Sequence, residues 1–169
     1  MHIVLLEPEI PQNTGNIART CAVTGSILHL IRPLGFTVTD RHLRRAGMDY
    51  WKDMDIRYHD SFDDFIASEK PMSAPNAPMF LSTTKARQTY AQVSYKDGSY
   101  IVFGKESMGI PEETLVKYQN SCIRIPMLDS SRSLNLSASV AIVLYEALRQ
   151  NNFAGLESKG RLHRLNWTV

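Results

Sequence analysis

Short apolar runs recur along the chain, and stretches with helical periodicity separate several of them. The apolar runs occupy residues 3–6, 27–31, 56–58, 79–81, 100–103 and 122–125. Helical patterns cover residues 16–24, 40–50, 62–68, 112–119 and 136–150. Short apolar runs of this kind are typical of strands buried on both faces, and alternation with helices favours βαβ units. The pattern therefore predicts an α/β fold with a mostly parallel sheet and helices on both faces.

Residues typical of helix caps and helix ends indicate where several of these helices begin or end. Gly25 suits the left-handed position after the first helix, and Thr39 suits the N-cap of the second. The Ser-Phe-Asp-Asp sequence of residues 61–64 is a capping-box pattern for the third helix, and Pro111 is a favourable first residue for the fourth. We expect Asn13 or Thr14 to cap the first helix.

Composition narrows the class of protein without pointing to a partner. The chain has 169 residues, a net charge of +2 and two distant cysteines, which fits one soluble domain in a reducing compartment. The histidines show no ligand spacing, so we expect no structural metal. No apolar run reaches the roughly 18 residues of a membrane helix, and we expect a cytoplasmic protein with no membrane partner.

The chain shows no internal repeat, and we expect residues 1–150 to form a single domain. Prolines in residues 71–78 favour a surface loop. Residues 151–169 are expected to be a tail with no separate domain. Two interpretations of this tail stay open: Leu162, Leu165 and Trp167 dock on the body or a partner, or the tail is a mobile basic segment.

Several common site motifs are absent. The loop after the first strand, residues 7–16, holds one glycine, so a nicotinamide-binding G-x-G-x-x-G motif is excluded. Lys105 follows a glycine as in a phosphate loop, but the next residue is Glu106 in place of the Ser or Thr that would hold Mg²⁺. Glu7 and Glu9 are weak candidates for a glycosidase pair, and carboxylates that cap a turn are the alternative.

Three loops carry the candidate chemistry, and all would lie at the carboxyl edge of the same sheet. In residues 13–19, Arg19 is placed near a helix N-terminus, which favours a shared anion or an ion pair with Glu7 or Glu9. In residues 103–111, Gly104 would let a ligand approach the backbone, and Glu106 could accept a hydrogen bond. In residues 123–149, a hydroxyl-rich loop opens onto a helix start rich in small residues, either as a ligand loop or as an ordinary capped turn.

Together, residues 7–19, 43–50, 103–111 and 123–149 resemble the SPOUT superfamily of RNA methyltransferases. Within it the chain resembles the TrmL (YibK-like) group, the tRNA (cytidine/uridine-34-2′-O)-methyltransferases. The resemblance runs from the first strand to about residue 150 and leaves the tail outside. It implies a deep trefoil knot in the C-terminal part, a homodimer, and S-adenosylmethionine bound in the knotted loops.

The resemblance also implies a set of site residues. Cofactor contacts fall on Leu81, Ser82, Thr83, Gly104, Ile125, Met127, Ser133 and Leu134, with Asn135 completing the pocket. Arg19 is the expected catalytic residue, engaging the substrate phosphate and helping to activate the ribose 2′-hydroxyl. Tyr145 is a second catalytic candidate, acting from the dimer interface, unless it is only an interface or core tyrosine.

The expected substrate is the wobble nucleotide in the anticodon loop of tRNA. The expected RNA contacts are Asn13, Arg41, Arg44, Arg45 and Lys85, although the arginines would also suit a solvated helix face. One alternative function is 2′-O-methylation of another tRNA or rRNA site. Another is a catalytically silent RNA-binding assembly protein of the same fold, which would not bind the methyl donor.

Overall fold

A computed structural model of the protein describes residues 1–37, 54–69 and 77–167. Its sheet has six strands: β1 (His2–Leu6), β2 (Ile27–Ile31), β3 (Ile56–His59), β4 (Met79–Ser82), β5 (Tyr100–Phe103) and β6 (Cys122–Ile123). They lie in the order β3-β2-β1-β5-β4-β6, and every neighbouring pair is parallel. The predicted parallel sheet is confirmed, and its strand boundaries agree with the apolar runs to within two residues.

Within the described ranges, four α-helices accompany the sheet: α1 (Pro11–Thr24), α2 (Phe62–Glu69), α3 (Glu112–Lys117) and α4 (Leu136–Gln150). Alternate strand residues face opposite sides, so the strands contribute to two separate cores. One core packs Ile3 and Leu5 of β1 against apolar residues of α1 and α4. The other packs Val4 and Leu6 against residues of α2 and α3. Helices therefore cover both faces, as predicted.

The first helix begins five residues earlier than predicted. Pro11 occupies its first turn, and the N-cap residue is Ile10, which makes no side-chain cap. Asn13 and Thr14 lie inside the helix and are buried, so the expectation that one of them is the cap is wrong. Gly25 does end the helix in the left-handed region, with φ of 64°.

The other helix boundaries follow local capping chemistry. The Ser61 hydroxyl accepts a hydrogen bond from the Asp64 N–H at 3.0 Å, while the Asp64 carboxylate accepts from the Asp60 N–H at 3.2 Å. Pro111 is the residue before α3 and not its first member, and α3 ends two residues earlier than predicted. The boundaries of α4 match the prediction. The predicted helix over residues 40–50, with its Thr39 cap, lies outside the described residues, as does most of the proline-rich loop.

The residues directly after α4 still pack against the core. Phe153 and Leu156 are partly buried against the core that α4 shares with α1. Residues 157–167 are exposed throughout. In the described part of the chain, no helix combines the length and apolar character needed to cross a membrane.

Candidate active site

The loops that follow β1, β4, β5 and β6 converge at the carboxyl edge of the sheet and enclose a cleft of about 620 Å³. This is where parallel sheets place their ligand sites, because all strands end at the same edge. The cleft is lined by Ile10, Asn13, Ile125, Met127, Ser139 and residues 82–85, 103–110 and 132–136. Its volume lies within the range of roughly 300–1,000 Å³ typical of small-molecule sites.

The Glu106 carboxylate joins the second loop to the first. It accepts hydrogen bonds from the backbone N–H groups of Glu9 at 2.8 Å and Ile10 at 3.3 Å. It also accepts from the Asn13 side-chain amide at 2.9 Å. Because Glu9 and Ile10 are the last two residues before α1, Glu106 holds the chain from a distant loop at the point where it enters that helix. The expectation that Glu106 accepts a hydrogen bond is confirmed.

Asn13 extends this network to the third loop. Its side-chain oxygen accepts a hydrogen bond from the Asn135 amide at 2.9 Å. The Asn135 oxygen in turn caps α4, accepting from the Ser137 N–H at 2.9 Å and the Ala138 N–H at 3.3 Å. A continuous chain of hydrogen bonds therefore joins all three loops and fixes the starts of α1 and α4.

A second set of contacts interlocks the first two loops. The Glu9 carboxylate accepts from the Ser107 N–H at 2.9 Å and from its hydroxyl at 2.8 Å, and these bonds lower the pKa of Glu9. Lys105 pairs with Glu7 at 2.8 Å, and this hydrogen-bonded partner raises the pKa of Lys105. Glu7 and Glu9 therefore hold the first loop to the second, a structural role and not that of a glycosidase pair.

Seven of the eight predicted cofactor residues line the cleft: Ser82, Thr83, Gly104, Ile125, Met127, Ser133 and Leu134. Leu81 does not, because its side chain is fully buried in the core beneath α2 and α3. Gly104 lines the cleft, but a Cβ at this position would collide with the backbone of Gly109 and Ile110. The missing side chain thus lets this loop fold back on itself.

Neither predicted catalytic side chain lines the cleft of its own chain. Arg19 is the ninth residue of α1 and is exposed. It lies about two turns from the helix start, so the prediction that it sits close to the positive end of the helix dipole is wrong. Tyr145 is 46% exposed on α4, which packs against α1. Both residues therefore lie on the surface of one helix pair.

Of the predicted RNA-binding residues, Asn13 and Lys85 line the cleft. Both polar ends of the Asn13 side chain are engaged by Glu106 and Asn135. Lys85 forms an ion pair with Glu112 at 2.6 Å, which lowers the pKa of Glu112. Arg41, Arg44 and Arg45 lie outside the described residues. Direct RNA contact by these five residues stays a prediction.

Sequence reasoning assigned no site role to several polar side chains of the cleft wall, among them Arg132 and Ser139. Arg132 belongs to the hydroxyl-rich loop that the sequence singled out, so its position there was an available signal. Ser139 belongs to the helix start whose small residues the sequence also singled out, so its position was a second available signal.

Sequence reasoning also missed a buried row of histidines on the α2 face of the sheet. His2 Nδ1 lies 2.9 Å from His29 Nε2, and His29 Nδ1 lies 3.0 Å from His59 Nε2. His59 Nδ1 lies 3.3 Å from the Ser68 hydroxyl, which donates its own hydrogen to the Asp64 carbonyl at 2.8 Å. The Ser68 oxygen must then accept from His59, and this sets the same Nδ1–H tautomer for all three rings.

This histidine row also bears on metal binding. One nitrogen each of His2 and His29 and one carboxylate oxygen of Glu69 lie within 4.8 Å of one another, the one such group in the described ranges. Both nitrogens of His29 are already hydrogen-bonded to its histidine neighbours. Hydrogen bonding therefore accounts for the cluster without a metal ion, and the absence of a metal stays a prediction.

Several known proteins are similar to this chain in sequence and in structure. A protein of Yersinia pestis named tRNA (cytidine(34)-2′-O)-methyltransferase is 49% identical over 158 residues, covering 92% of this chain and 96% of that protein. A structure described as giving structural insights into the 2-OH methylation of C/U34 on tRNA has a TM-score of 0.82 at 44% identity, covering 89% and 95% of the two chains. An AdoMet-bound rRNA methyltransferase from Sinorhizobium meliloti has a TM-score of 0.76 at 25% identity and covers 88% of this chain and 55% of that one.

The family-level comparison covers most of the chain. Residues 1–145 match the family described as SpoU rRNA Methylase. This match includes the three interlocked loops of the cleft, and the predicted resemblance is confirmed. The chain belongs to the SpoU rRNA methylase family.

Proposed function

We propose that this protein transfers a methyl group from S-adenosylmethionine to the ribose 2′-hydroxyl of nucleotide 34 of tRNA, a cytidine or a modified uridine. The observation that carries the proposal is the cleft formed by the three interlocked loops. It lies in a chain nearly half identical, over almost its full length, to an enzyme named for this reaction.

The cleft fits the proposed methyl donor in size and in lining. Ile125, Met127 and Leu134 supply apolar surface, while Ser133 and the strand-end residues Ser82 and Thr83 supply polar groups. We assign these six residues and Gly104 to cofactor binding. When bound, S-adenosylmethionine supplies an electrophilic methyl group on a sulfonium centre. An AdoMet complex of the structurally similar rRNA methyltransferase supports this assignment.

The protein's own task is to hold the 2′-hydroxyl in line and to help its proton leave. We assign phosphate binding and activation of the hydroxyl to Arg19, which stays protonated and therefore acts by charge and orientation. Tyr145 is the second candidate. Because both are exposed on the α1–α4 surface and neither lines its own cleft, we propose a homodimer in which they act at the partner's cleft.

Mixing two inactive variants tests the shared site. Arg19→Ala removes the proposed activating residue, and Leu134→Glu places a charge in the cleft wall. If each site combines two chains, an equal mixture regains about a quarter of wild-type activity, because half of the dimers carry one intact site. Sites complete within one chain would give no recovery.

The reaction itself is tested by radiolabelled methyl transfer followed by mapping of the modified nucleotide. We expect labelling of position 34 by the wild type, loss of at least about 100-fold with Arg19→Ala, and near-normal activity with Lys96→Ala, an exposed cation distant from the cleft. Normal turnover by folded Arg19→Ala would remove the proposed role of this residue.

The family description favours one second candidate, methylation of ribosomal RNA. The same mapping on total rRNA separates the two substrates. Calorimetry with S-adenosylmethionine separates both from a silent RNA-binding protein, which would give no binding heat.

We also propose that residues 1–150 form one cytoplasmic domain whose C-terminal part is threaded into a deep trefoil knot. The strand order supports this, since β4 lies between β5 and β6. The segments after β4 and β6 also run together, with the Tyr90 N–H donating to the Arg124 carbonyl at 2.9 Å. An experimental structure traced through residues 83–150 tests the threading.

A further inference from the structure

The segment that follows the core is basic and exposed. Residues 158–167, here called the C-terminal arm, contain Lys159, Arg161 and Arg164 and are exposed along their whole length. Leu165 is 75% exposed and Trp167 is 73% exposed. Single exposed apolar residues are common in proteins. An exposed leucine and tryptophan interleaved with cations are typical of a surface that binds another molecule.

The root of the arm is fixed to the body. The Asn151 side chain donates to the Tyr95 carbonyl at 3.1 Å, and Gln150 accepts from the Tyr95 N–H at 2.9 Å. Phe153 and Leu156 then pack against the core. The arm therefore projects from a defined point on the molecule.

The arm changes the net charge of the chain from negative to positive. Residues 158–169 hold three of the 19 cationic residues and none of the 17 acidic ones. The remaining 157 residues thus carry 16 cations against 17 carboxylates. Within the described ranges, no carboxylate forms an ion pair with Lys159, Arg161 or Arg164. The arm accounts for the basic character of the chain, and its cations are available to a polyanion.

The occupant that this chemistry fits is RNA backbone. Arginine binds phosphate through paired N–H donors, and tryptophan stacks on unpaired bases. Helix α4 links the arm to the cleft: Leu136 at its start lines the cleft, and Gln150 at its end anchors the arm. Its 15 residues span about 22 Å at 1.5 Å per residue. The ten residues of the arm reach at most about 35 Å when extended.

We infer that the C-terminal arm binds the phosphate backbone of the substrate tRNA outside the cleft that holds the methylated nucleotide. The inference rests on the proposed function, because it takes tRNA as the molecule in the cleft. The arm supplies affinity for the tRNA and takes no part in the methyl transfer.

The test compares two double variants of the full-length protein that each remove two positive charges. Arg161→Ala/Arg164→Ala alters the arm, and Lys96→Ala/Lys117→Ala removes exposed cations elsewhere. Affinity for an unmodified tRNA transcript is measured over a range of salt concentrations. We expect the arm variant to bind about 10-fold more weakly at low salt, with the slope of log K against log[salt] shallower by about 1.4–1.8.

The control variant should match the wild type in both quantities. In steady-state assays the arm variant should raise KM for tRNA and leave kcat and S-adenosylmethionine affinity unchanged. Arg161→Lys/Arg164→Lys, which keeps the charges, should restore the salt slope.

Equal affinity and slope for the arm variant and the wild type would overturn the inference, even while the wild type methylates position 34. A wild type that neither binds nor methylates tRNA would overturn the proposed function along with it. A change in dimerisation with unchanged RNA affinity would identify the arm as a protein contact and also overturn the inference.

Discussion

At the scale of single residues, the site depends on side chains that satisfy backbone groups far away in sequence. Glu106 is the clearest case, since its carboxylate accepts from the backbone N–H groups of Glu9 and Ile10, just before α1, and also from the Asn13 amide. Asn135 has a similar double role, capping α4 with its oxygen and holding Asn13 with its amide. Both residues act as positioning residues, because they hold the loops that line the cleft.

Removing the Glu106 carboxylate should loosen the loops and cost stability. Glu106→Ala leaves two backbone N–H groups and an amide without their acceptor, so we expect a loss of about 1–3 kcal/mol in unfolding free energy. Glu113→Ala, which removes an exposed carboxylate from α3, should change it by less than about 0.5 kcal/mol. Urea unfolding measures both, and equal losses would contradict the role of Glu106 in holding the first loop.

Two substitutions of Asn135 separate its cap from its link to Asn13. Asn135→Asp keeps an oxygen for the α4 N–H groups but has no amide to donate to Asn13, whereas Asn135→Ala loses both functions. We expect the alanine variant to be less stable than the aspartate variant by about 1 kcal/mol. Both should bind S-adenosylmethionine more weakly, as calorimetry would show. Wild-type affinity in the aspartate variant would show that the link is dispensable.

At the scale of elements, α4 connects the cleft, the core and the C-terminal arm. Its buried residues Val140, Val143 and Leu144 face the core shared with α1, while Tyr145, directly after Leu144, is half exposed. The helix can therefore hold the third loop in place and still present a side chain to a second protomer.

This division predicts opposite effects for two adjacent substitutions. Leu144→Ala creates a cavity and should lower the unfolding free energy by about 2–5 kcal/mol. Tyr145→Ala should cost about 1 kcal/mol or less, because the side chain is already half exposed, yet reduce methyl transfer. Thermal unfolding and the methyl-transfer assay check the pair. A Tyr145→Ala variant with wild-type turnover would remove Tyr145 from the catalytic set.

The elements differ in how far the sequence could predict them. Strands β2 and β5 and helix α4 follow from local apolar patterns, and their predicted boundaries agree with the structure. The start of α1 was missed because Glu106, which holds the two residues before the helix, lies more than 90 residues away in sequence. Leu81 illustrates the same limit, since a resemblance can assign it to a site but cannot show that its side chain faces the core.

At the scale of the whole molecule, the side of the sheet opposite α1 and α4 contains histidines whose pKa values are lowered in the fold. Burial lowers the pKa of His29 to about 3 and, helped by the charged N-terminus, that of His2 to about 4. Burial also lowers the pKa of His59. Arg57 and Glu69 lie beside the row, and their mutual ion pair places one charge of each sign there.

Stability should therefore fall as the solution becomes acidic. In the unfolded chain these histidines take up protons near pH 6.5, whereas in the fold they stay neutral to much lower pH. Their contribution is complete above about pH 6.5 and is lost as the pH falls toward 4, with a slope of up to about 1.4 kcal/mol per pH unit for each histidine. Urea unfolding at a series of pH values measures the slope.

Two single-histidine variants make this measurement specific. His29→Asn should flatten the pH dependence below pH 6, whatever its effect on overall stability, because one proton-binding group is gone. His163→Gln, in the exposed arm, should leave the slope unchanged. Equal slopes for both variants would show that the buried row does not govern acid stability.

The interlocked loops after β1 and β5 have a consequence for protein engineering. Glu9 and Asn13 of the first loop are hydrogen-bonded to Ser107 and Glu106 of the second, so each loop supplies groups that the other needs. A graft that replaced residues 103–111 alone with a loop lacking those partners would leave the N–H groups of the first loop without their hydrogen-bond acceptors. Substrate specificity should therefore be transferable between relatives only when both loops are exchanged together. The two loops form one structural unit although they are far apart in sequence.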